Sequence, residues 1–139
     1  CAHCPYVIHV QDELVKVAGV YQDQGVEFVA ISSNDAINYP ADSPEKLKEQ
    51  ADSIGFTFPY LFDEDQSVAR DYQAECTPDF FVFDENNQLA YRGRLDEATP
   101  GNDKEVNGKD LRAALDALME GNSISKDQFP SMGCNIKWK

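Results

Sequence analysis

The sequence predicts an α/β domain in which helices and strands alternate before a β-hairpin near the carboxyl end. Three observations support this fold class. Apolar residues recur at helical spacing over residues 4–24, a β-branched apolar run follows at 26–31, and two strand-like runs flank the tetrapeptide DENN at 84–87. The 139 residues are enough to enclose one hydrophobic core, so residues 1–139 are expected to form a single domain.

The first helix is expected to run from about Cys4 to Gln24. Pro5 suits a first helical turn because its missing N–H needs no partner there, and Gly25 ends the helix. The run VEFVAI at 26–31 is short, apolar and rich in β-branched residues, as is typical of a buried strand. Helices alternating with such strands imply that the strands pair in parallel.

Capping and charge predict the elements that follow. Ser43 is the expected N-cap of a second helix, which ends at Gly55. The run FPYLF at 58–62 predicts a brief strand. The acidic triplet at 63–65 is expected to open a short helix over 67–72, because negative charge is favoured at a helix N-terminus.

A hairpin and a helix complete the domain. Strand-like runs at 79–83 and 88–94 predict the two arms of the hairpin. Apolar residues at helical spacing over 109–118 mark a last helix, which Gly121 ends. Residues 122–139 show no clear period and are expected to form an extended tail.

Composition limits the function classes. The formal net charge is -13, from 25 acidic and 12 basic residues. This excess of acid argues against a nucleic-acid-binding protein, whose phosphate-facing surface would be basic. No apolar run reaches the ~18–20 residues that a membrane span needs. Residues 1–139 contain no signal peptide, but the native amino end is not expected to be among them; the expected location is the cytoplasm, with a periplasmic or exported location as the alternative.

Two cysteines, Cys1 and Cys4, open the chain, and three chemistries compete for this motif. A zinc site would need a second Cys/His pair at similar spacing. The chain has none, because its histidines are His3 and His9 and the other cysteines stand alone, so no metal is expected. Two inert thiols are the second alternative. Redox chemistry is the third, and it is the one that a Cys-x-x-Cys motif favours.

The two thiols are expected to differ in reactivity. Backbone N–H groups and the helix dipole favour an anion at a helix N-terminus, so the outermost thiol, Cys1, should ionise most readily. Cys4 lies one turn further along on the same face and can close onto Cys1. Cys1 is thus the expected nucleophile and Cys4 its resolving partner. A protonated His3 beside them would favour the thiolate.

A second motif, ECTPDFFVF at 75–83, places Thr77 and Pro78 directly before a buried strand. An ordinary proline is awkward there, and a cis Thr77–Pro78 bond would account for it. With both motifs the chain resembles the thioredoxin-fold redoxin superfamily, the alkyl hydroperoxide reductase/thiol-specific antioxidant and thiol–disulfide oxidoreductase group. The segments that carry this resemblance are CAHCPYVIHV, VEFVAISSND, FPYLFDEDQSVARDY, CTPDFFVFDENNQLAYRGRLD and SMGCNIKWK.

The resemblance implies a thioredoxin-like three-layer fold with a mixed sheet. It implies that Cys1 is the nucleophile, Cys4 the resolving cysteine and Pro78 a cis-proline that faces them. Thr77 would offer backbone hydrogen bonds to an extended substrate by strand addition, and His3 would contact the same substrate.

The chain also departs from the family pattern. The strand that precedes the Cys-x-x-Cys in the family has no counterpart here, so we expect the physiological chain to be longer at its amino end. Any buried acid on that strand is absent with it, and no general base is assigned. Asp79 and Glu75 lie near the right loop, but such acids are usually solvated.

Cys76 and Cys134 are a candidate second redox pair. Cys76 lies two residues before Pro78, near the expected active-site face. It is a small buried hydrophobe, a partner of Cys134 that pins the tail across the domain, or a relay of oxidation from Cys1. Four cysteines allow three complete pairings, and the sequence alone does not choose among them.

The expected function is a thiol–disulfide oxidoreductase. It would act on protein or small-molecule disulfides and thiols, be recharged by a thiol reductant and need no cofactor. A peroxiredoxin-like peroxidase is the alternative. The peroxiredoxin motif is Pro-x-x-x-Thr/Ser-x-x-Cys. If Cys4 is taken as its cysteine, Cys1 stands where the motif requires Thr or Ser, and this disfavours a peroxidase.

Two further alternatives fall outside these enzymes. A copper-binding module on the same fold is disfavoured because no histidine follows His9. An interaction module with a vestigial cysteine pair would show no thiol-dependent turnover.

Overall fold

Four α-helices and six short strands make up the computed structural model, which describes residues 1–139. The helices are α1 Pro5–Gln22, α2 Pro44–Ile54, α3 Ser67–Tyr72 and α4 Lys109–Met119. The strands are β1 Ala30–Ser32, β2 Tyr60–Phe62, β3 Cys76–Thr77, β4 Phe80–Phe83, β5 Leu89–Gly93 and β6 Cys134–Asn135. This is the mixed helix and strand content that the sequence predicts. No helix combines the length and apolar character that a membrane crossing requires.

The strands form three two-stranded ladders. β1 pairs in parallel with β2. β4 and β5 form an antiparallel hairpin around the DENN turn. The third ladder joins β3 to β6 in antiparallel fashion, with Thr77 opposite Cys134. β6 has two residues and lies in the tail, which the sequence predicts to be extended.

The first predicted strand is shorter than expected. The sequence predicts it over 26–31, but β1 begins only at Ala30. Residues 26–29 have no partner in a ladder, and the Val26 N–H instead bonds the carbonyl of Tyr21 at 3.0 Å. This hydrogen bond belongs to the turn that ends α1. The first residues of the apolar run therefore form the connection after α1 and not part of the strand.

The signals predicted for both ends of α2 and for the start of α3 are confirmed, whereas α1 ends at Gln22 with Asp23 as its C-cap, before the predicted Gly25. The Ser43 hydroxyl accepts a hydrogen bond from the Lys46 N–H at 3.3 Å, and Gly55 ends α2 in the left-handed conformation at φ 85. The Asp63 carboxylate accepts from the Ala69 N–H at 3.0 Å. The acidic triplet therefore caps α3, as its position in the sequence predicts.

The largest apolar cluster fixes α1 against the hairpin and α4. Burying each such side chain contributes roughly 1.5–3 kcal/mol, so α1 is firmly held. The Tyr21 hydroxyl donates to the Asp116 carboxylate at 2.6 Å, and burial together with this carboxylate raises the pKa of Tyr21 to about 12. The cluster consists of Val10, Val17, Tyr21, Tyr91, Leu95, Leu111, Ala114 and Leu115. The start of α1, which carries the cysteine motif, is thereby held in place.

Candidate functional site

The cysteine motif lies at the start of α1, but only Cys4 belongs to the helix terminus. Cys4 is the N-cap, its side chain makes no capping hydrogen bond, and Pro5 is the first helical residue. Cys1 lies in the segment before the cap. The sequence predicts that Cys1 lies closest to the helix N-terminus, and this prediction is wrong: the positive end of the helix dipole acts first on Cys4.

Thr77 contacts the sulfurs of both cysteines. The Cys1 thiol donates to the Thr77 hydroxyl at 3.4 Å, and the Cys4 sulfur lies 3.5 Å from the Thr77 carbonyl oxygen. The peptide bond between Thr77 and Pro78 is cis. The structure therefore brings Cys1, Cys4, Thr77 and Pro78 into one site.

The cysteine pairing differs from both predicted pairs. Cys4 forms a disulfide with Cys134, and the Cα atoms of this pair are 6.3 Å apart. Cys1 and Cys76 are free. The predicted contact between Cys76 and Cys134 is wrong because of the register of β3 and β6, in which Cys76 lies opposite Asn135. Successive side chains in a strand point to opposite faces, so Cys76 and Cys134 face away from each other.

Cys76 is a poor nucleophile in this setting. Its thiol donates to the Pro78 carbonyl at 3.7 Å. Burial, and then the nearby carboxylates of Asp79 and Glu75, raise its pKa to about 11. The group therefore stays a thiol at neutral pH, which removes it from the candidate redox residues.

We expect Cys76 to react with N-ethylmaleimide about tenfold more slowly in the native chain than in the denatured chain at pH 8. Its raised pKa lowers the thiolate fraction about hundredfold, and the greater nucleophilicity of a more basic thiolate recovers about tenfold. Quenched alkylation followed by peptide mass spectrometry measures both rates. Equal rates in the two states would contradict the burial of this thiol.

Asp42 is a candidate site residue that the sequence does not predict. It is fully buried at the end of a 3-10 turn, Pro40–Asp42. One carboxylate oxygen accepts from the backbone N–H groups of Ala2 and His3, at 2.8 and 3.1 Å. The other accepts from the Asn34 amide at 2.9 Å and from Nδ1 of His3. Asp42 thus binds the segment between the two cysteines.

The charge of Asp42 is maintained by these donors. Burial on its own would raise the pKa of this carboxyl, but the hydrogen bonds from Asn34 and from the Ala2 backbone, with His3, lower it below its ordinary value. A carboxylate only accepts hydrogen bonds, so the proton of a neutral His3 ring lies on Nδ1 and its Nε2 is an acceptor. The His3 side chain is 32% exposed and stacks on the Tyr39 ring.

Cys1, His3 and Asp42 also form a cluster of metal-ligand atoms. The sulfur, a ring nitrogen and a carboxylate oxygen lie within 4.8 Å of one another. However, each Asp42 oxygen already accepts two hydrogen bonds, and Nδ1 of His3 is turned towards that carboxylate. A cation would have to break these bonds. The chemistry of the cluster therefore fits proton transfer to and from Cys1 better than metal binding.

The two acids considered as general bases have other contacts. Asp79 accepts from the Ser131 hydroxyl at 2.8 Å and forms an ion pair with Arg92 at 3.6 Å. Its neighbour Glu75 donates its backbone N–H to the same carboxylate at 3.3 Å. Asp79 therefore fastens the tail to the loop before β4.

The cavity beside Pro78 is too small for a substrate. Its volume is about 20 Å³, which is room for one water molecule. Tyr6, Val10 and Met132 are among the residues that line it. A substrate must therefore approach Cys1 from the surface.

Comparison with known proteins identifies the family. Residues 1–92 match the model of the AhpC/TSA family. The chain belongs to the AhpC/TSA family. Its membership confirms the predicted place in the thioredoxin-like redoxin superfamily, and AhpC/TSA proteins are typically oxidoreductases.

Two solved structures are highly similar to this AhpC/TSA chain. An uncharacterized conserved protein from Geobacillus kaustophilus is 55% identical with a TM-score of 0.98, over 100% of this chain and 74% of that one. A hypothetical protein from Sinorhizobium meliloti is 48% identical with a TM-score of 0.98, over 99% of this chain and 75% of that one. Curated proteins give no match.

Proposed function

We propose that this AhpC/TSA protein is a thiol–disulfide oxidoreductase in which Cys1 is the nucleophile and Cys4 the resolving cysteine. The observation that carries the proposal is the shared contact with Thr77. A free Cys1 thiol and the Cys4 sulfur lie against the two oxygen atoms of this one residue, at 3.4 and 3.5 Å. Cys1, Cys4 and Val7 form a small apolar cluster, in which Cys4 is fully buried and Cys1 is 8% exposed.

The reaction proceeds by two exchanges. The Cys1 thiolate attacks a substrate disulfide, forming a mixed disulfide and releasing one substrate thiol. The Cys4 thiolate then attacks the Cys1 sulfur, forming the Cys1–Cys4 disulfide and releasing the second thiol. Cys4 is suited to this step because the N-terminus of α1 stabilises its thiolate.

His3 and Asp42 supply the proton transfer. A ring nitrogen of His3 lies within 4.8 Å of the Cys1 sulfur, and Asp42 holds its Nδ1. In the neutral ring Nε2 is the free acceptor, and the proposal assigns it the Cys1 proton. This arrangement of nucleophile, base and orienting carboxylate is the usual way to activate a thiol. It assigns His3 to proton transfer rather than to substrate contact.

The tail favours a small disulfide as substrate. β6 is paired with β3 beside Thr77, so an extended peptide would have to displace β6 or use the other edge of β3. A small disulfide does not have to pair with β3 and therefore does not have to displace β6. We also propose that the three ladders belong to one mixed sheet of a thioredoxin-like three-layer fold.

Replacement of Cys1 by serine tests the function. We expect Cys1→Ser to lower kcat/KM for glutathione-dependent reduction of hydroxyethyl disulfide by about hundredfold or more, because a serine hydroxyl stays protonated at neutral pH. The rate is followed by coupling to glutathione reductase and NADPH. Cys76→Ser is the matched control and should keep the wild-type rate. Wild-type turnover in Cys1→Ser would rule out the proposal.

A peroxidase is the second candidate, and one observation favours it. The Thr77 hydroxyl touches the Cys1 sulfur at 3.4 Å, so it supplies from another segment the hydroxyl that the local motif lacks. Cys1 would then reduce a peroxide and become a sulfenic acid, which Cys4 resolves with loss of water. Hydrogen peroxide in place of the disulfide, in the same assay, compares the two activities.

A further inference from the structure

We propose that Cys134 is a third member of the redox site, to which the disulfide is passed after Cys1 has been oxidised. This inference rests on the proposed function of Cys1 and Cys4. The Cys134 thiolate attacks the Cys4 sulfur of the Cys1–Cys4 disulfide. The Cys4–Cys134 bond forms, the Cys1–Cys4 bond breaks, and Cys1 leaves as a thiolate ready for another substrate.

The electrons balance without a further reactant. The substrate disulfide accepts two electrons and two protons and leaves as two thiols. The electrons come finally from the Cys4 and Cys134 thiols, and Cys1 ends the cycle unchanged. The structure holds this end state, with Cys4 bonded to Cys134 and Cys1 free.

The position of Cys4 makes the transfer direct. Its sulfur is bonded to Cys134, and it shares the Thr77 contact with Cys1. Cys134 packs against the same small cluster that contains Cys1 and Cys4. Cys4 therefore has a sulfur partner on each side, as the central member of an exchange chain must.

The tail is built to bring Cys134 to this point. Gly133 approaches Thr77 so closely that a side chain at 133 would collide with the Thr77 carbonyl group. Before it, the Ser131 hydroxyl donates to the Gly93 carbonyl at 2.6 Å. Only glycine fits directly before Cys134, and the backbone of the tail is fixed there.

The tail after Cys134 is held just as firmly. Ile136 is buried, and the Lys137 carbonyl accepts from the Asp35 N–H at 2.8 Å and the Gln66 amide at 2.9 Å. These contacts do not depend on the disulfide. When the bond is reduced, Cys134 should therefore stay beside Cys4 rather than leave with a released tail.

One side chain couples the tail to the cysteine segment. The Asn34 amide donates to Asp42 at 2.9 Å, and its oxygen accepts from the Lys137 N–H at 2.9 Å. Asn34 is 3% exposed. The same residue thus positions the segment that carries Cys1 and Cys4, through Asp42, and the tail that carries Cys134.

The difference in exposure between Cys4 and Cys134 indicates which sulfur a reductant thiol attacks. Cys4 is fully buried, whereas Cys134 is partly exposed. A reductant thiol can therefore reach Cys134, and Cys4 leaves as a thiolate stabilised by the N-terminus of α1. Oxidation enters at Cys1 and reduction at Cys134, so the two half-reactions use different sulfurs.

The test follows each disulfide in time. Reduced full chain is mixed with one equivalent of oxidised glutathione, quenched with acid, alkylated and analysed by peptide mass spectrometry. In wild type we expect the Cys1–Cys4 disulfide to form first and be replaced by Cys4–Cys134, with Cys1 alkylated at the end. Cys134→Ser should stop at Cys1–Cys4, and Cys76→Ser should behave as wild type.

Cys1→Ser separates a redox relay from a structural disulfide. We expect it to form Cys4–Cys134 about tenfold more slowly or worse, because the entry thiol is missing. Formation at the wild-type rate would overturn the relay, as would a persistent Cys1–Cys4 disulfide in wild type. If Cys134→Ser forms no Cys1–Cys4 disulfide at all, the proposed function itself fails. Wild type alone reports the order of the two disulfides if a variant does not fold.

Discussion

Reduction of the Cys4–Cys134 disulfide is expected to lower the free energy of unfolding by about 5 kcal/mol. The bond joins residues 130 positions apart, so it removes a large loop-closure entropy from the unfolded chain. For a chain of this size the loss corresponds to a fall in Tm of about 15 °C. Thermal unfolding with and without a phosphine reductant measures the change.

Two variants serve as controls for this effect. Cys134→Ser should unfold like reduced wild type and show no further response to reductant. Cys76→Ser keeps the disulfide and should respond as wild type does. If reduction lowers the free energy of unfolding of wild type by less than about 1 kcal/mol, the prediction is wrong. The tail would then already restrict the unfolded chain, or the disulfide would strain the native chain.

This stabilisation also bears on the relay. A disulfide that stabilises the native state by about 5 kcal/mol is harder to reduce there than in the unfolded chain by the same free energy, or about 100 mV. The Cys1–Cys4 disulfide closes only a short loop and gains far less from folding. The native fold therefore favours transfer of the disulfide from Cys1–Cys4 to Cys4–Cys134.

Local signals in the sequence predicted most helices and the hairpin. Ser43 and Gly55 define α2 because a capping hydroxyl and a left-handed glycine act on their own neighbours. The bounds of α3 were predicted for the same reason, since Asp63 caps it from within the adjacent acidic run. These signals depend only on residues close by in the sequence.

The tail and the cysteine pairing were not predictable in this way. β6 has only two residues, too few to show a period, and it pairs with a strand of equal length far away in the chain. Which thiol meets Cys134 depends on the register of that ladder, where a shift of one residue would turn Cys76 towards it. The sequence alone does not specify that register.

Asp42 was missed because its partners are distant. In the sequence it is one acid among 25, placed in a polar loop before a helix. Its role appears only when the loop reaches Ala2 and His3, 40 and 39 residues away. In the proposed mechanism this loop positions the general base, because Asp42 holds the His3 ring.

Replacement of Asp42 by asparagine should lower both stability and activity. Asparagine turns one accepting oxygen into a donor, which then faces the Asn34 amide and the His3 Nδ1–H. Two buried donors lose their acceptor, and we expect a cost of about 3 kcal/mol at pH 7. We also expect kcat/KM to fall by about tenfold or more, because the cysteine segment and the His3 ring lose their support.

The pH dependence distinguishes this role from simple packing. Folding lowers the pKa of Asp42 below its ordinary value of 3.8, so its charged form stabilises the native chain. This contribution to stability is complete at pH values above the ordinary pKa. It is lost as the pH falls through the lower pKa of the native state. The part of the stability difference between wild type and Asp42→Asn that comes from the Asp42 charge should therefore shrink below about pH 4.

Chemical unfolding at a series of pH values measures this difference. Asp52→Asn is the matched control, because Asp52 is 67% exposed in an ion pair with Lys48 and should cost less than about 1 kcal/mol at any pH. A constant deficit down to pH 3 would show that Asp42 acts only by shape. A deficit that disappears with acid would show that the stabilisation comes from the charge of this carboxylate, which accepts the hydrogen bonds of Ala2, His3 and Asn34.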